Sequence, residues 1–336
     1  MKNNLCALLT WILTAVVIAG CGSPDAQESL ALVDAAPQAA TASATKASDA
    51  PVRTVALVMK TLTNPFFVEM EKGARRAEQE LGVNLIVKTG AQETSVEQQI
   101  AIVDTLIGEH VDAIVIAPAD STELIPALKA AQDAGIVVIN IDNQLDPQVA
   151  AERGLIGVPF ISVDNEQGAY NSAKVLSDRI DQPAEVVVLE GIRTAKNAAD
   201  RTHGALRAFG ENPNITVVAQ ETAHWKIDEA HDVIARVFAK HPNVKAIFAA
   251  NDMMALGVVQ FLAETGRTSV TVVAYDALDE AKKAIREGSL LATVDQQAAQ
   301  QGYLGVDFAV RALNGEKLPP ITLVETRLVT ADSVDK

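Results

Sequence analysis

The chain has 336 residues, a formal net charge of −15, two cysteines and a hydrophobic share of 49%, with only 4% aromatic residues. That length gives one large or two medium domains with sizeable cores, and the apolar share is that of a globular chain. The acidic balance argues against nucleic acid, which needs a basic footprint, and two cysteines make no disulfide framework.

The N-terminus reads as an address. Lys2 is the only charge ahead of an apolar run from Leu5 to Ala19, too brief for a comfortable membrane span. The run closes on Ile18, Ala19 and Gly20 before Cys21, and small residues ahead of a cysteine resemble a lipobox, where cleavage precedes the cysteine and lipid joins its sulfur. Residues 1–20 are therefore expected to be a lipoprotein signal peptide, with Cys21 as lipid anchor rather than redox centre or metal ligand. Residues 21–50 are rich in Ala, Ser, Thr, Pro, Gln and Asp, and no aromatic falls between Trp11 and Phe66. Such a segment buries too little apolar surface to offset its ordering entropy, so it is expected to be a flexible tether, with a weak helix around Glu28–Ala36.

From Val52 the chain alternates strand-like and helix-like stretches. Thr54–Met59 predicts a strand and Phe67–Leu81 a helix; strand Leu85–Val87 and helix Val96–Glu109 follow, then strand Ala113–Ala117, helix Thr122–Ala134 and strand Val137–Ile141. A loop is expected from Asp142 to Phe160. The pattern then restarts with helix Gln167–Ile180, strand Glu185–Leu189, helix Ala198–Phe209, strand Thr216–Ala219, helix Ile227–Lys240 and strand Ala246–Ala249. Helix Ala255–Glu264, strand Val270–Ala274, helix Asp279–Glu287, strand Leu290–Val294, helix Gln300–Leu313 and one extended run, Ile321–Val329, complete it. Continuous apolar strands between helices mean parallel sheets covered on both faces, and the number of units exceeds one ordinary sheet. The fold class expected is α/β, with two Rossmann-like, doubly wound lobes.

In open parallel sheets ligands bind beyond the carboxyl ends of the strands. The residues there are Lys60, Asn64, Phe66 and Phe67 after the first strand, then Asp142 and Asn143, Arg201, Trp225, Asn251, Asp276 and Gln296 after later ones. They include carboxylates, amides, cations and aromatics, with no reactive sulfur or hydroxyl nucleophile. Planar carboxylate, amide and guanidinium groups each bind adjacent hydroxyls in bidentate fashion, and aromatic rings stack on the C–H faces of a sugar ring. A phosphate site would instead show a Gly-rich loop or several converging cations. Each residue also has a plainer role open to it. Asn251 and Asp276 fit helix N-caps, with Asp252 the stronger candidate for a pure cap. Arg201 fits a solvated helix face, Trp225 core packing, and one of Phe66 and Phe67 a hydrophobic staple.

At these residues the chain resembles the periplasmic ribose- and allose-binding proteins. The segment from Lys60 through Asn64 and Pro65 to Phe67 carries the likeness, as do Ile139–Asn143, Phe248–Gly257, Val272–Asp276 and Ala292–Gln296, in the family's order from about Val52 to Val329. The resemblance implies a type I solute-binding protein of a sugar ABC importer: two lobes joined by a three-segment hinge and closing around one monosaccharide. It implies an N-terminal sugar-binding lobe of residues 51–162 plus 297–325 and a C-terminal lobe of 163–296 plus 326–336. Sugar contacts carry over to Asn64, Phe66, Phe67 and Asp142 on one side, and to Arg201, Trp225, Asn251 and Asp276 on the other, with Gln296 at the returning hinge. Lys60 matches the allose-type branch. Asn143 stands where ribose binders have Arg, and Lys60 is expected to supply the missing donor, so this pair is expected to set the choice among ribose- and allose-like pentoses and hexoses.

The expected localisation is extracytoplasmic, as a membrane-anchored lipoprotein in the periplasm or on the outer face of the cell membrane. The expected partners are the monosaccharide, an ABC importer permease and the membrane through the lipid anchor, with no nucleic acid, a monomeric state, and no cofactor or metal. Three other functions compete. An enzyme is disfavoured: there is no nucleophile elbow, phosphate loop or zinc-type His-Glu pair, the five histidines are dispersed, and Arg201 is expected to keep Asp142 and Asp276 ionised, which suits binding more than acid catalysis. A sugar-responsive repressor would carry an N-terminal helix-turn-helix where this chain has a signal and tether. A sugar sensor docking on a chemoreceptor or sensor-kinase ectodomain remains an alternative to transport.

Overall fold

The structure is a computed structural model that describes residues 52–335. The signal peptide, Cys21, the tether and the helix expected near Glu28–Ala36 lie outside the described residues.

The first sheet is built from β1 (Thr54–Met59), β2 (Asn84–Thr89), β3 (Ala113–Ile116), β4 (Val137–Ile141), β5 (Phe160–Val163) and a late strand, β11 (Ile321–Val324). The helices between them are α1 (Pro65–Leu81), α2 (Val96–Gly108), α3 (Ile125–Asp133) and α4 (Pro147–Glu152). The second sheet holds β6 (Ala184–Glu190), β7 (Ile215–Thr222), β8 (Val244–Ala249), β9 (Thr271–Val273), β10 (Ala292–Asp295) and β12 (Arg327–Thr330). Its helices are α5 (Asn165–Ser177), α6 (Lys196–Gly210), α7 (Ile227–Lys240), α8 (Asp252–Glu264) and α9 (Asp279–Glu287); α10 (Ala298–Leu313) follows β10.

The strand orders are β11-β5-β4-β3-β1-β2 and β12-β10-β9-β8-β6-β7. Every pairing is parallel except β10 with β12. Parallel central strands are covered on both faces, which is why β3 and most of β1 are wholly buried and read as unbroken apolar runs. In each sheet the order reverses beside its first strand, between β1 and β3 and between β6 and β8, leaving a crevice at the carboxyl ends. The chain passes between the sheets three times: from β5 into α5, from β10 into α10, and from β11 into β12.

Two expectations are corrected. The stretch from Asp142 to Phe160 is no plain loop, since it contains α4, capped by Asp146 through the Val149 N–H at 2.9 Å, and leads into β5. The run Ile321–Val329 is two strands, because its halves hydrogen-bond to different sheets: β11 lies beside β5, and β12 antiparallel to β10.

α1 shows how local chemistry serves both fold and site. Asn64 caps it, its Oδ1 accepting the Phe66 N–H at 3.0 Å; Pro65 sits where a missing N–H costs nothing; and Gly82, at φ 67°, ends it. α1 packs against α10 closely enough that a Cβ on Gly73 would stand 1.7 Å from the Ala299 carbonyl oxygen, and one on Gly302 2.0 Å from that of Met70. Any larger residue at either position would force the helices apart.

Candidate binding site

The carboxyl ends of the two sheets enclose a cavity of about 20 Å³, far below the roughly 300–1,000 Å³ typical of pockets for drug-sized ligands. One wall carries Lys60, Asn64, Phe66, Phe67, Glu93 and Asp142, the other Asn197, Arg201, Trp225, Asn251, Asp276 and Gln296. None of these residues is more than 8% exposed, so the described arrangement is closed over the site. Of the residues singled out in the sequence, all but Asn143 line this cavity.

Arg201, on the first half of α6, organises the second wall. Its Nε donates to Asn165 Oδ1 at 2.9 Å, one terminal nitrogen to the Ala250 carbonyl at 3.0 Å and Asp276 Oδ1 at 3.3 Å, and the other to Gln296 Oε1 at 3.2 Å. Gln296 returns a bond to Asp276 Oδ1 at 2.7 Å. The guanidinium lies 3.9 Å from the Tyr275 ring centre and 5.5 Å from that of Trp225. A planar cation with nearly every donor committed is a rigid fork, not a mobile counter-charge. Burial pushes the Asp276 carboxyl up, to about 7, and Arg201 only partly opposes it. Desolvation thus acts on this carboxyl against the ionised state that its ion pair with Arg201 favours.

Behind this wall Asp252 is not the simple cap expected. Asn251 caps α8, accepting the Met254 N–H at 2.9 Å. Asp252 is fully buried and accepts from the Leu278 N–H and the Thr293 hydroxyl, both at 2.7 Å, bracing the turn that carries Asp276. Burial, with Asp276 adding to it, pushes the Asp252 carboxyl well above its ordinary range. Asp276 itself caps no helix and sits at φ 123°.

On the first wall Lys60 Nζ stands 2.9 Å from Asp142 Oδ2, as an ion pair between two nearly inaccessible groups, and 5.7 Å from the Phe67 ring centre. Glu93 comes from the turn after β2. Its Oε1 accepts the Asn64 side-chain amide at 2.9 Å, and burial lifts its carboxyl to about 7 against the pull of Lys60. Asn197 Oδ1 and Trp225 Nε1 are buried without a hydrogen-bond partner in the described protein. Native structures rarely leave such atoms unmatched, which marks this cavity as a place for hydrogen-bonding ligand groups. Asp142 (φ 64°), Trp225 (φ 68°) and Asp276 also hold positive φ, a strain that persists where surrounding structure enforces it and that concentrates at ligand sites.

Asn143 is the correction among the predicted contacts. Its side chain is fully buried outside the cavity, donating to the Pro118 carbonyl at 3.2 Å and to Ser121 Oγ at 3.3 Å, while Oδ1 accepts the Asn197 N–H at 3.2 Å. It therefore joins the two halves at the lip of the site. Lys60, expected to supply a donor in its stead, lines the cavity and pairs with Asp142, and an ammonium's three donors leave others free for a ligand. Sequence reasoning missed Glu93, Asn197, Asn165 and Tyr275. Among the described residues no group of three or more His, Cys, Asp or Glu is arranged to hold a metal ion.

Two sheets whose strand ends meet over a small polar cavity define a protein that encloses its ligand. The comparisons agree. The family model described as periplasmic binding protein domain matches residues 55–317. A D-ribose/D-allose-binding protein of Pseudomonas aeruginosa is 42% identical over 265 residues, 78% of this chain and 82% of its own. The D-allose-binding periplasmic protein of Escherichia coli is 33% identical over 283 residues, 82% of this chain and 91% of its own. Among solved structures, an ABC transporter periplasmic solute-binding protein from Actinobacillus succinogenes with bound D-allose matches with a TM-score of 0.80 at 35% identity, covering 84% of this chain and 99% of its own. The chain belongs to the periplasmic binding protein family.

Proposed function

We propose that this chain is a lipid-anchored, extracytoplasmic solute-binding protein that captures a ribose- or allose-like monosaccharide between its two lobes and delivers it to an ABC importer. The observation that carries the reading is the cavity itself. It is small, sealed, walled by Phe66, Phe67 and Trp225, and furnished with the carboxylates and amides that bind vicinal hydroxyls. Relatives named for ribose and allose support the same ligand class. The lobes are residues 51–162 with 297–325 and residues 163–296 with 326–336. Sugar contacts are assigned to Lys60, Asn64, Phe66, Phe67, Asp142, Arg201, Trp225, Asn251, Asp276 and Gln296.

A ligand that binds only the closed form shifts the population toward it, and that closed form is what an importer would recognise. The test is a thermal-shift and calorimetric screen over ribose, allose and other monosaccharides. Saturation at about 1,000 times Kd stabilises by about 4 kcal/mol, which raises Tm by roughly 5–10 °C for a domain of this size. Failure of every pentose and hexose to shift Tm removes the proposal.

A further inference from the structure

We propose that His224 is a positioning residue of this site: its imidazole, clamped to Glu229 near the start of α7, holds a strained turn in the conformation that directs Trp225 into the cavity. The proposal rests on the monosaccharide reading above, which assigns Trp225 to the ligand.

Residues 223–226 link β7 to α7 as a β-turn, closed by the Lys226 N–H donating to the Ala223 carbonyl at 2.8 Å. Its central residues, His224 (φ 48°) and Trp225 (φ 68°), are both left-handed. Type I′ turns require such values at both positions and normally draw Gly, Asn or Asp there. A His-Trp pair has no backbone preference for this shape, so side chains and neighbours must enforce it.

The turn is held from three sides. The Thr222 hydroxyl donates to the Gly191 carbonyl at 2.6 Å and accepts the His224 N–H at 3.3 Å. The Asn251 side chain donates to the Trp225 carbonyl at 3.4 Å, and the indole packs on Gly191. The His224 side chain supplies the third hold. Its Nδ1 meets Glu229 Oε2 at 2.6 Å, while Lys226 Nζ reaches the other oxygen at 2.8 Å. Against the upward push of partial burial, hydrogen bonds from Lys226 and His224 keep the Glu229 carboxyl below its ordinary range. An ionised carboxylate only accepts, so Nδ1 carries the proton of this bond.

A surface pair alone would matter little, since both side chains are partly exposed. Two features set this one apart. One carboxylate takes His224 before Trp225 and Lys226 after it, so it ties the backbone on either side of the indole. The indole is also where precision counts. It is 4% exposed, it lines the cavity, and its Nε1 has no hydrogen-bond partner among the described residues. A small rotation of the turn would carry that donor away from a ligand hydroxyl.

The test is a double-mutant cycle on the full chain, read by calorimetry with ribose and allose. A second reading is Trp225 emission in a Trp11→Phe background, which leaves Trp225 the sole tryptophan. His224→Asn tolerates the left-handed backbone but loses the reach to Glu229, which separates the clamp from the strain. Glu229→Ala removes the clamp from the helix side, and every variant is checked for a cooperative thermal transition. Each single variant should weaken sugar binding about 2–10-fold, the range for one hydrogen bond, and red-shift Trp225 emission in the ligand-free protein. The double variant should lose no more than Glu229→Ala alone. Glu229→Gln, which keeps an acceptor for Nδ1, should recover most of the loss. Unchanged affinity, an unmoved emission, or losses that multiply in the double variant overturn the proposal. Absence of any monosaccharide binding by the unsubstituted protein overturns the underlying reading instead, and the emission still decides the positioning.

Discussion

Ser121 Oγ, in the turn after β3, accepts the backbone N–H of Lys196 at 3.0 Å, so a hydroxyl of one half caps a helix of the other. α6 has no side-chain cap of its own, since Ala195 occupies the cap position. The Ser121 N–H also donates to the Thr194 carbonyl at 3.2 Å, and Asn143 Oδ1 takes the next helical N–H, that of Asn197. Helix N–H groups left unmatched when the halves part are recovered when they meet.

Ser121→Ala removes the cross-cleft cap, and loss of a cap costs about 0.5–2 kcal/mol. The cost falls on the closed form, so ligand should dissociate about 3–30-fold faster while the association rate changes little. Stopped-flow displacement measures this; an unchanged dissociation rate shows that the contact does not hold the lobes together.

Gly191, just past β6, sits against the Trp225 indole: a Cβ there would stand 2.0 Å from the ring carbon Cζ2. Gly191→Ala must therefore move the indole or the turn, at about 1–3 kcal/mol. Affinity should fall at least about tenfold with the far-ultraviolet circular dichroism unaltered. Intact affinity would show that Trp225 does not contact the ligand.

The raised carboxyl of Glu93 carries a pH signature. Its ordinary value is 4.5 and its value in the fold is about 7, so between those values the folded protein holds a proton that the unfolded chain has lost. Its stabilising contribution is full below pH 4.5 and is lost as pH rises through about 7. Without ligand, the stability advantage of Glu93→Gln over the unsubstituted protein should grow by at most about 3 kcal/mol between pH 4.5 and 8. Denaturant unfolding of both proteins across that range reads it directly; parallel curves would refute it.

Cys21 offers a test of localisation. Cys21→Ala should abolish incorporation of labelled fatty acid and release the protein from the membrane fraction, with monosaccharide affinity unchanged. Retained labelling would refute Cys21 as the anchor.

Much of the fold was legible because strands buried on both faces leave unbroken apolar runs, as at Thr54–Met59 and Ala113–Ile116. β5 was not, being four residues long with Ser162 among them, behind Pro159. Nor could sequence show that Ile321–Val329 divides between two sheets, a matter of pairing rather than of local preference. In the site, residues following strands were the productive signal, and applying it after β2 as well would have pointed to Glu93. Asn143 misled for a geometric reason. Asp142 sits at φ 64°, a left-handed step that sends adjacent side chains to different environments, one facing the cavity and one the neighbouring half. Tyr275 and Asn165 act by bracing Arg201, and no local pattern distinguishes such a role from ordinary burial.

The backbone-to-backbone fit of α1 and α10 has a mechanical meaning. α10 starts directly after Gln297, at the passage from the second sheet back to the first, and Gly73 and Gly302 leave no slack between the two helices. α1 in turn carries Asn64, Phe66 and Phe67 at its start, so the wall residues share the rigid packing of α10. With no slack between them the two helices form one stiff piece, which ties the chamber wall to the outer face of the same helices.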